Sequence, residues 1–246
     1  MNSPPLPLFL KVVPVNDITA RLSRIEEKIE AACLRCGRSR DEIRLMGVTK
    51  FQTTETIEAA WKAGLRLFGE SRVQEASSKF TGFREKHAGI ELHLVGSLQR
   101  NKAKTAAAFF DCIQSVDRES LIDELGVLTR DRENPLMVLL EYRTGEETKS
   151  GFSDQDSLFR AVEKLLSFPG LLPMGFMTMA PFTDDTVMVR SAFRKLAALR
   201  ADAEKRFPGQ NWSNLSMGMT NDFEIAIEEG STLIRIGTAL FGECVT

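Results

Sequence analysis

The sequence predicts a single (β/α)8 TIM-type barrel with one extra helix at its front, an α/β fold. Three observations lead there. Eight short apolar runs of strand character alternate with helical patterns, as in a parallel sheet whose strands are joined by helices. The chain has 246 residues, the size of one such barrel and ample for a large core. Near its end, Ser213 to Glu243 reads as strand, small-residue turn, short helix, strand and small-residue turn, which is where a barrel carries a phosphate site after strands seven and eight. A doubly wound open sheet is the alternative, but neither G-x-G-x-x-G nor G-x-x-x-x-G-K follows any strand.

Residues 1 to 15 contain Pro4, Pro5, Pro7 and Pro14 and are expected to form an extended arm ahead of a barrel domain over 16 to 246. Asn16 or Asp17 is expected to cap a helix that carries Ile18, Leu22, Ile25 and Ile29 on one face and stops at Gly37. Ile43 to Thr49 is the first strand and ends on Lys50; Thr53 or Thr54 then opens a helix closed by Gly64. Leu65 to Phe68 is the second strand, and Ser71 and Gln74 have capping-box spacing ahead of a helix from Arg72. The third strand is Ile90 to Val95, with Gly96 to Lys102 leading into a helix through Phe109. Cys112 to Val116 is the fourth, and Asp117 is expected to cap the helix bearing Leu121, Ile122 and Leu125. Leu136 to Leu140 is the fifth and most apolar, followed by a polar loop from Thr144 to Ser150. A helix over Asp154 to Leu166, a sixth strand at Gly175 to Met177 and a long helix over Val187 to Arg206 precede Trp212 and the seventh strand. Helix Asp222 to Glu229 and strand Thr232 to Ile236 complete the set.

Composition narrows the function classes. Hydrophobic residues at 43% and charged residues at 27% are ordinary for a soluble globular protein, and a net charge of -2 gives no electrostatic reason to propose nucleic acid. No apolar run approaches the ~20 residues needed to cross a bilayer, and the start lacks the basic segment and cleavage site of a signal peptide. Cys33, Cys36, Cys112 and Cys244 are too few and scattered for a disulfide scaffold, which points to a reducing cytoplasm. The pair Cys33-x-x-Cys36 ends an amphipathic helix without a second ligand pair, and His87 and His93 are the chain's two histidines, so no metal centre is expected.

Lys50 leads the candidate chemistry. A lysine at the carboxyl end of a barrel strand points to the mouth where ligands sit, and a pocket that desolvates it would make its amine nucleophilic toward an aldehyde. The plainer reading is a lysine that reaches solvent past the strand end. Ser216-Met217-Gly218 and Gly237-Thr238 supply two small-residue turns, and a helix starting at Thr238 would aim free N–H groups at a phosphate. These turns are expected on the far side of the mouth from Lys50. An aldehyde that also carries a phosphate is the implied ligand, and pyridoxal 5'-phosphate (PLP) is the obvious candidate. Arg235, just ahead of the Gly237 turn, is a third candidate, whose plainer reading is a salt bridge or a phosphate clamp.

The segments LMGVTK (45 to 50), LFGESRVQEA (67 to 76), HLVGSLQRNK (93 to 102), LSMGMTNDFEIAI (215 to 227) and STLIRIGTALFGE (231 to 243) occur in this order over most of the chain. With them the chain from Ile18 onward resembles the pyridoxal-phosphate homeostasis proteins, single-domain relatives of the alanine racemase barrel (PLP fold type III). The resemblance implies that Lys50 forms the internal Schiff base, that Ser216 and the backbone of Gly237 and Thr238 hold the phosphate beside Met217 and Gly218, and that Arg235 faces the pyridine nitrogen. It implies a cytoplasmic, monomeric protein of PLP and amino-acid homeostasis, with amino acids or PLP-dependent apoenzymes as partners. Racemase relatives bring a second base, a tyrosine, from a further C-terminal β domain; this chain reaches Thr246 and has one tyrosine, Tyr142, for which packing is the plainer role. Little or no turnover is therefore expected, with a PLP-dependent amino-acid racemase as the alternative. Two positions depart from the family: Ser71 stands where relatives carry the asparagine of G-E-N, which leaves its cofactor contact open, and Arg143 also replaces an asparagine. A phosphosugar-handling barrel is disfavoured because acid–base carboxylates are not evident at the strand ends, with Glu70 and Asp222 read as structural. The run Gln99, Arg100, Lys102, Lys104 reads as a solvated helix start, and Met177 and Met179 as barrel lining.

Overall fold

A computed structural model describes residues 13–145 and 150–242. Most of the proline-rich arm, part of the loop after the fifth strand, Glu243 and Cys244 lie outside them. Eight parallel strands close into a barrel in sequence order: β1 (Arg44–Val48), β2 (Leu67–Glu70), β3 (Glu91–Leu94), β4 (Cys112–Val116), β5 (Leu136–Glu141), β6 (Leu171–Met177), β7 (Asn214–Ser216) and β8 (Leu233–Ile236), with β8 pairing back onto β1. The helices are α1 (Val15–Cys36), α2 (Thr54–Lys62), α3 (Val73–Phe80), α4 (Phe83–Lys86), α5 (Ala103–Phe109), α6 (Glu119–Leu128), α7 (Gln155–Leu166), α8 (Thr186–Arg206), α9 (Phe223–Glu228) and α10 (Thr238–Phe241). The main apolar core lies between strands and helices, and smaller clusters around Met46, Leu67 and Leu233 and around Cys112, Leu139 and Met177 are separate from it.

The extra helix begins earlier than expected. The carbonyl of Pro14, in extended backbone, accepts the Ile18 N–H at 3.1 Å, so Pro14 is the N-cap and Asn16 and Asp17 fall in the first turn. There Asp17 meets the positive end of the helix rather than capping it. The end of the expected arm is not free: Val13 is buried, and its N–H donates to Thr56 Oγ1 at 3.1 Å. Gly37, at φ 69°, ends the helix with the Arg38 N–H returning to the Cys33 carbonyl, an arrangement that needs a left-handed residue. Arg35 then bridges Glu224 and Glu228, and the Arg38 guanidinium caps the carbonyls of Ile227 and Ser231, so α1 is pinned to α9. Cys33 is buried in the core and the Cys36 thiol donates to the Ala32 carbonyl, so both serve packing.

Three local expectations give way to packing. The second strand starts two residues late because Leu65 closes the preceding turn, its N–H on the Ala60 carbonyl, and its side chain fills the space that a Cβ on Gly47 would take, 2.4 Å away. The Ser71 capping box does not form: α3 starts after Arg72 with no side-chain cap, while the Ser71 backbone presses on Gly96. Asp117 likewise does not cap α6, because its carboxylate pairs with Arg118 at 2.5 Å. Thr53 opens α2 as expected, and Asp154, expected as the first residue of its helix, instead caps α7 through the Ser157 N–H.

The register of β6 against β5 shifts between Val138 and Leu139, opposite Gly175 at φ 136°. A Cβ on Gly175 would lie 1.9 Å from the Asn214 carbonyl oxygen. Gly175→Ala should therefore cost about 3 kcal/mol or more, through left-handed strain plus the clash with β7. Urea unfolding of the variant should show a lower midpoint; an unchanged midpoint would refute the assignment.

Candidate functional site

The mouth of the barrel is built at the carboxyl ends of the strands. The turn Thr49 to Gln52 follows β1, closed by the Gln52 N–H on the Thr49 carbonyl at 3.0 Å, and Lys50 stands exposed in it. The expected desolvation of this lysine is thus not a property of the protein alone, because the strand stops two residues before it. Barrel closure also corrects the expected placement of the two turns. Gly47 pairs with Ile236, and a Cβ on Gly237 would lie 3.6 Å from the Val48 carbonyl oxygen, so the Gly237–Thr238 turn borders the strand that carries Lys50 and is not across the mouth from it. Gly237 is half-buried and Thr238 exposed, at the start of a single helical turn.

The other turn is partly framework. Met217 has no exposed surface, packs in the main core and donates its N–H to the Leu233 carbonyl at 3.1 Å, which takes it out of the expected donor set. Gly218, at φ 94°, accepts the Arg235 N–H at 2.9 Å; a Cβ there would meet Ala226 Cβ at 2.6 Å and Phe223 Cα at 2.9 Å, so only glycine lets α9 pack beneath this turn. The two turns are tied together by the Ala239 N–H on Thr220 Oγ1 at 3.3 Å. Ser71 follows β2, half-buried and against Gly96 at the end of β3.

Arg235 lies inside the barrel, 4% exposed. One guanidinium nitrogen donates to Ser216 Oγ at 2.7 Å and the other to the Thr178 carbonyl at 2.8 Å. Ser216 Oγ donates in turn to Gln114 Oε1 at 2.6 Å, Gln114 Nε2 meets His93 Nδ1 at 2.7 Å, and His93 Nε2 meets Glu91 Oε1 at 2.7 Å. Glu91 also pairs with Arg44 at 2.5 Å. A continuous chain of hydrogen bonds thus crosses from Arg44 and Glu91, at the amino-terminal ends of β1 and β3, to Arg235 on β8. Ser216 is committed to this chain. Burial pushes Arg235 down to about 10, against the pull of Asp222 and Glu141, which leaves it cationic at neutral pH.

Sequence reasoning missed His93, Gln114 and Thr178 as supports of Arg235, and Glu141 as a mouth residue. A glutamine inside the fully buried strand CIQSV and a glutamate ending LMVLLE were the available signals. Glu70 and Glu141 end β2 and β5 and Asp222 precedes α9; burial raises all three, each opposed by hydrogen bonds or nearby cations. Glu141 Oε1 accepts from Ser150 Oγ at 2.9 Å, and Asp222 Oδ1 caps the Met219 N–H. Tyr142 is half-buried against the core, as expected, and the Arg143 N–H pairs with the Phe152 carbonyl at 3.0 Å. Arg100 and Lys104 are exposed, with Arg100 on Glu124.

The family model described as alanine racemase, N-terminal domain, matches residues 21–244, which agrees with the closed parallel barrel. A pyridoxal phosphate homeostasis protein of Aquifex aeolicus is 38% identical over 91% of this chain and 96% of its own length. The structure of PipY from Synechococcus elongatus, solved with PLP bound, superposes with a TM-score of 0.79 at 30% identity, over 92% of this chain and all of PipY. An unknown protein from Bifidobacterium adolescentis superposes with a TM-score of 0.86 at 32% identity, over 95% of this chain and all of that one. The fold is thus that of the alanine racemase barrel class, and within it the chain belongs to the pyridoxal phosphate homeostasis protein family.

Two outcomes test the buried chain. Ser216→Ala leaves Arg235 and Gln114 each short of a partner and should lower stability by about 1–3 kcal/mol in thermal unfolding. Burial opposes ionisation of Glu91, yet hydrogen bonds from His93 and Arg44 bring its carboxyl down to about 2. Because this lies below the ordinary carboxylate value, Glu91 stabilises the fold above about pH 4.5 and loses that contribution as pH falls toward 2. With its side chain 30% exposed, about 1–2 kcal/mol is expected. Urea midpoints of wild type and Glu91→Gln should differ at pH 6 and converge near pH 2.

Proposed function

We propose that the protein holds PLP as a Schiff base on Lys50 and serves PLP and amino-acid homeostasis in the cytoplasm, with little or no turnover of its own. The observation that carries this reading is that three groups belong to the neighbouring strands β8 and β1 and the turns that follow them: the exposed Lys50 just past β1, the Gly237–Thr238 turn just past β8 and the buried cation Arg235 on β8. Their chemistry fits the ligand. A primary amine takes the aldehyde, backbone N–H groups at Gly237 and Thr238 take the phosphate, and a guanidinium takes the ring nitrogen. The family's name and the PLP-bound relative PipY support it.

Ser216 enters in a changed role, orienting Arg235 through its hydroxyl rather than contacting the phosphate. Ser71 and Gly218 shape the rim and the turn. When bound, PLP supplies an electron sink for carbanions at a substrate Cα, and an arginine that donates to the ring nitrogen weakens that sink. The half-buried, core-packed Tyr142 is not presented as a second base. On this reading the protein is a monomeric PLP carrier with amino acids or PLP-dependent apoenzymes as partners.

The purified protein should absorb above about 400 nm, and borohydride followed by peptide mapping should place the reduced cofactor on Lys50. Lys50→Ala should be colourless. No mapped adduct on Lys50 would sink the proposal. In deuterated water, a panel of amino acids should retain the Cα hydrogen; rapid wash-out would instead establish the racemase.

A further inference from the structure

Lys50 sits in a turn whose neighbours on both sides are held by one ionic cluster. The Thr49 N–H donates to the Gly69 carbonyl at 2.9 Å and its hydroxyl to Glu70 Oε1 at 2.7 Å. On the other side, the Phe51 N–H donates to Glu75 Oε1 at 2.6 Å. A single ammonium joins these anchors: Lys79 Nζ lies 2.7 Å from the Thr49 carbonyl oxygen, 2.8 Å from Glu70 Oε1 and 2.6 Å from Glu75 Oε1. An ammonium has three N–H donors, and here three acceptors surround it. The Lys79 side chain is 10% exposed and that of Glu70 fully buried.

The backbone at this point needs such support. Phe51 has φ 62°, the one non-glycine residue in the left-handed region among the described residues, and a residue with a Cβ is strained there. The Glu75 bond holds its N–H, and the Arg72 guanidinium lies 5.8 Å from its ring centroid. Glu70 Oε2 is buried without a hydrogen-bond partner among the described residues, so its carboxylate depends on Thr49 and Lys79. Without the ammonium, two carboxylates would face one another and release the turn from both sides.

We propose that Lys79, bridging Glu70 and Glu75, is the positioning residue for Lys50: it fixes the strained Thr49–Phe51 backbone from which the reactive amine projects. This rests on the reading of Lys50 as the amine that condenses with the PLP aldehyde, releasing one water. A fixed backbone favours that condensation by holding the amine at the mouth beside the Gly237–Thr238 turn. It does nothing for a ligand that has the same ring and phosphate but no aldehyde.

Lys79→Met and Glu75→Gln, each checked for fold by circular dichroism, supply the test. The first readout is amide hydrogen exchange at Phe51 in the protein without added cofactor, expected to speed up at least tenfold in either variant. The second is the rate of borohydride-fixable PLP capture on Lys50, expected to fall at least tenfold. The third is the Kd for pyridoxamine 5'-phosphate, expected to stay within about twofold, and Lys79→Arg should restore part of the capture rate. Wild-type Phe51 exchange, or wild-type capture in a folded variant, overturns the proposal, as does a parallel loss of pyridoxamine 5'-phosphate and PLP binding. Should Lys79→Met not fold, Glu75→Gln, which keeps an oxygen for the Phe51 N–H but loses the ion pair, decides alone. Failure of the PLP reading is recognised separately, by absence of a Lys50 adduct in the wild type, and the Phe51 exchange readout still judges the clamp in that case.

Discussion

A guanidinium enclosed in a barrel interior constrains everything around it. Burying a cation without partners costs several kcal/mol, and Arg235 has no carboxylate in direct contact among the described residues to offset this. The protein answers with neutral acceptors, a serine hydroxyl and a backbone carbonyl, and passes the demand along. Ser216 accepts from Arg235 and so gives its own proton to Gln114; Gln114 then has its amide nitrogen left for His93, and His93 has its remaining ring nitrogen for Glu91. Each group's orientation is fixed by the next. A polar strip therefore crosses an interior that elsewhere carries Met46, Leu67 and Leu233.

Closure of the sheet supplies the second constraint. Lys50 and Gly237 lie far apart in sequence, yet in a closed barrel the last strand must pair with the first, which brings the turn after β1 and the Gly237–Thr238 turn after β8 to neighbouring positions on the rim. Glycine at 47 and at 69 lets large side chains occupy the space beside these strands: a Cβ on Gly69 would lie 2.5 Å from Met46 Sδ. Thr220, through the Ala239 N–H, then locks the two turns of the far end of the chain to each other.

Most of the architecture was legible because barrel strands are short, apolar and separated by helices with a clear period. Capping at Thr53 was legible for the same local reason, since a side-chain oxygen ahead of an amphipathic run meets free N–H groups. Ser71 and Asp117 have the same chemistry, but a strand-end contact with Gly96 and an ion pair with Arg118 decide their conformations. Lys50 and Arg235 could be singled out as charges at the ends of apolar strands. Of their supports only Gln114, a polar residue inside an apolar strand, left a signal; His93, Lys79 and Glu75 acquire meaning only from neighbours on other strands and helices. The error about the far side of the mouth has one cause: counting strands along the chain ignores that the count is circular.

The carboxylates at the mouth bear on what kind of barrel this is. Glu141 is buried and Asp222 half-buried, and burial raises both carboxyls, a direction that suits proton transfer to a substrate. Both also act on Arg235, holding its charge up against burial, while Arg235 lowers theirs. The coupling is therefore mutual and directed at the arginine. Each has a structural bond as well, Glu141 with Ser150 and Asp222 with the Met219 amide. Groups already engaged with a buried cation and with their own loops are poorly suited to exchanging protons with a ligand. They help keep Arg235 cationic inside the barrel; on the proposed reading, with the PLP ring nitrogen against Arg235, that charge would favour holding the cofactor over drawing carbanion chemistry from it.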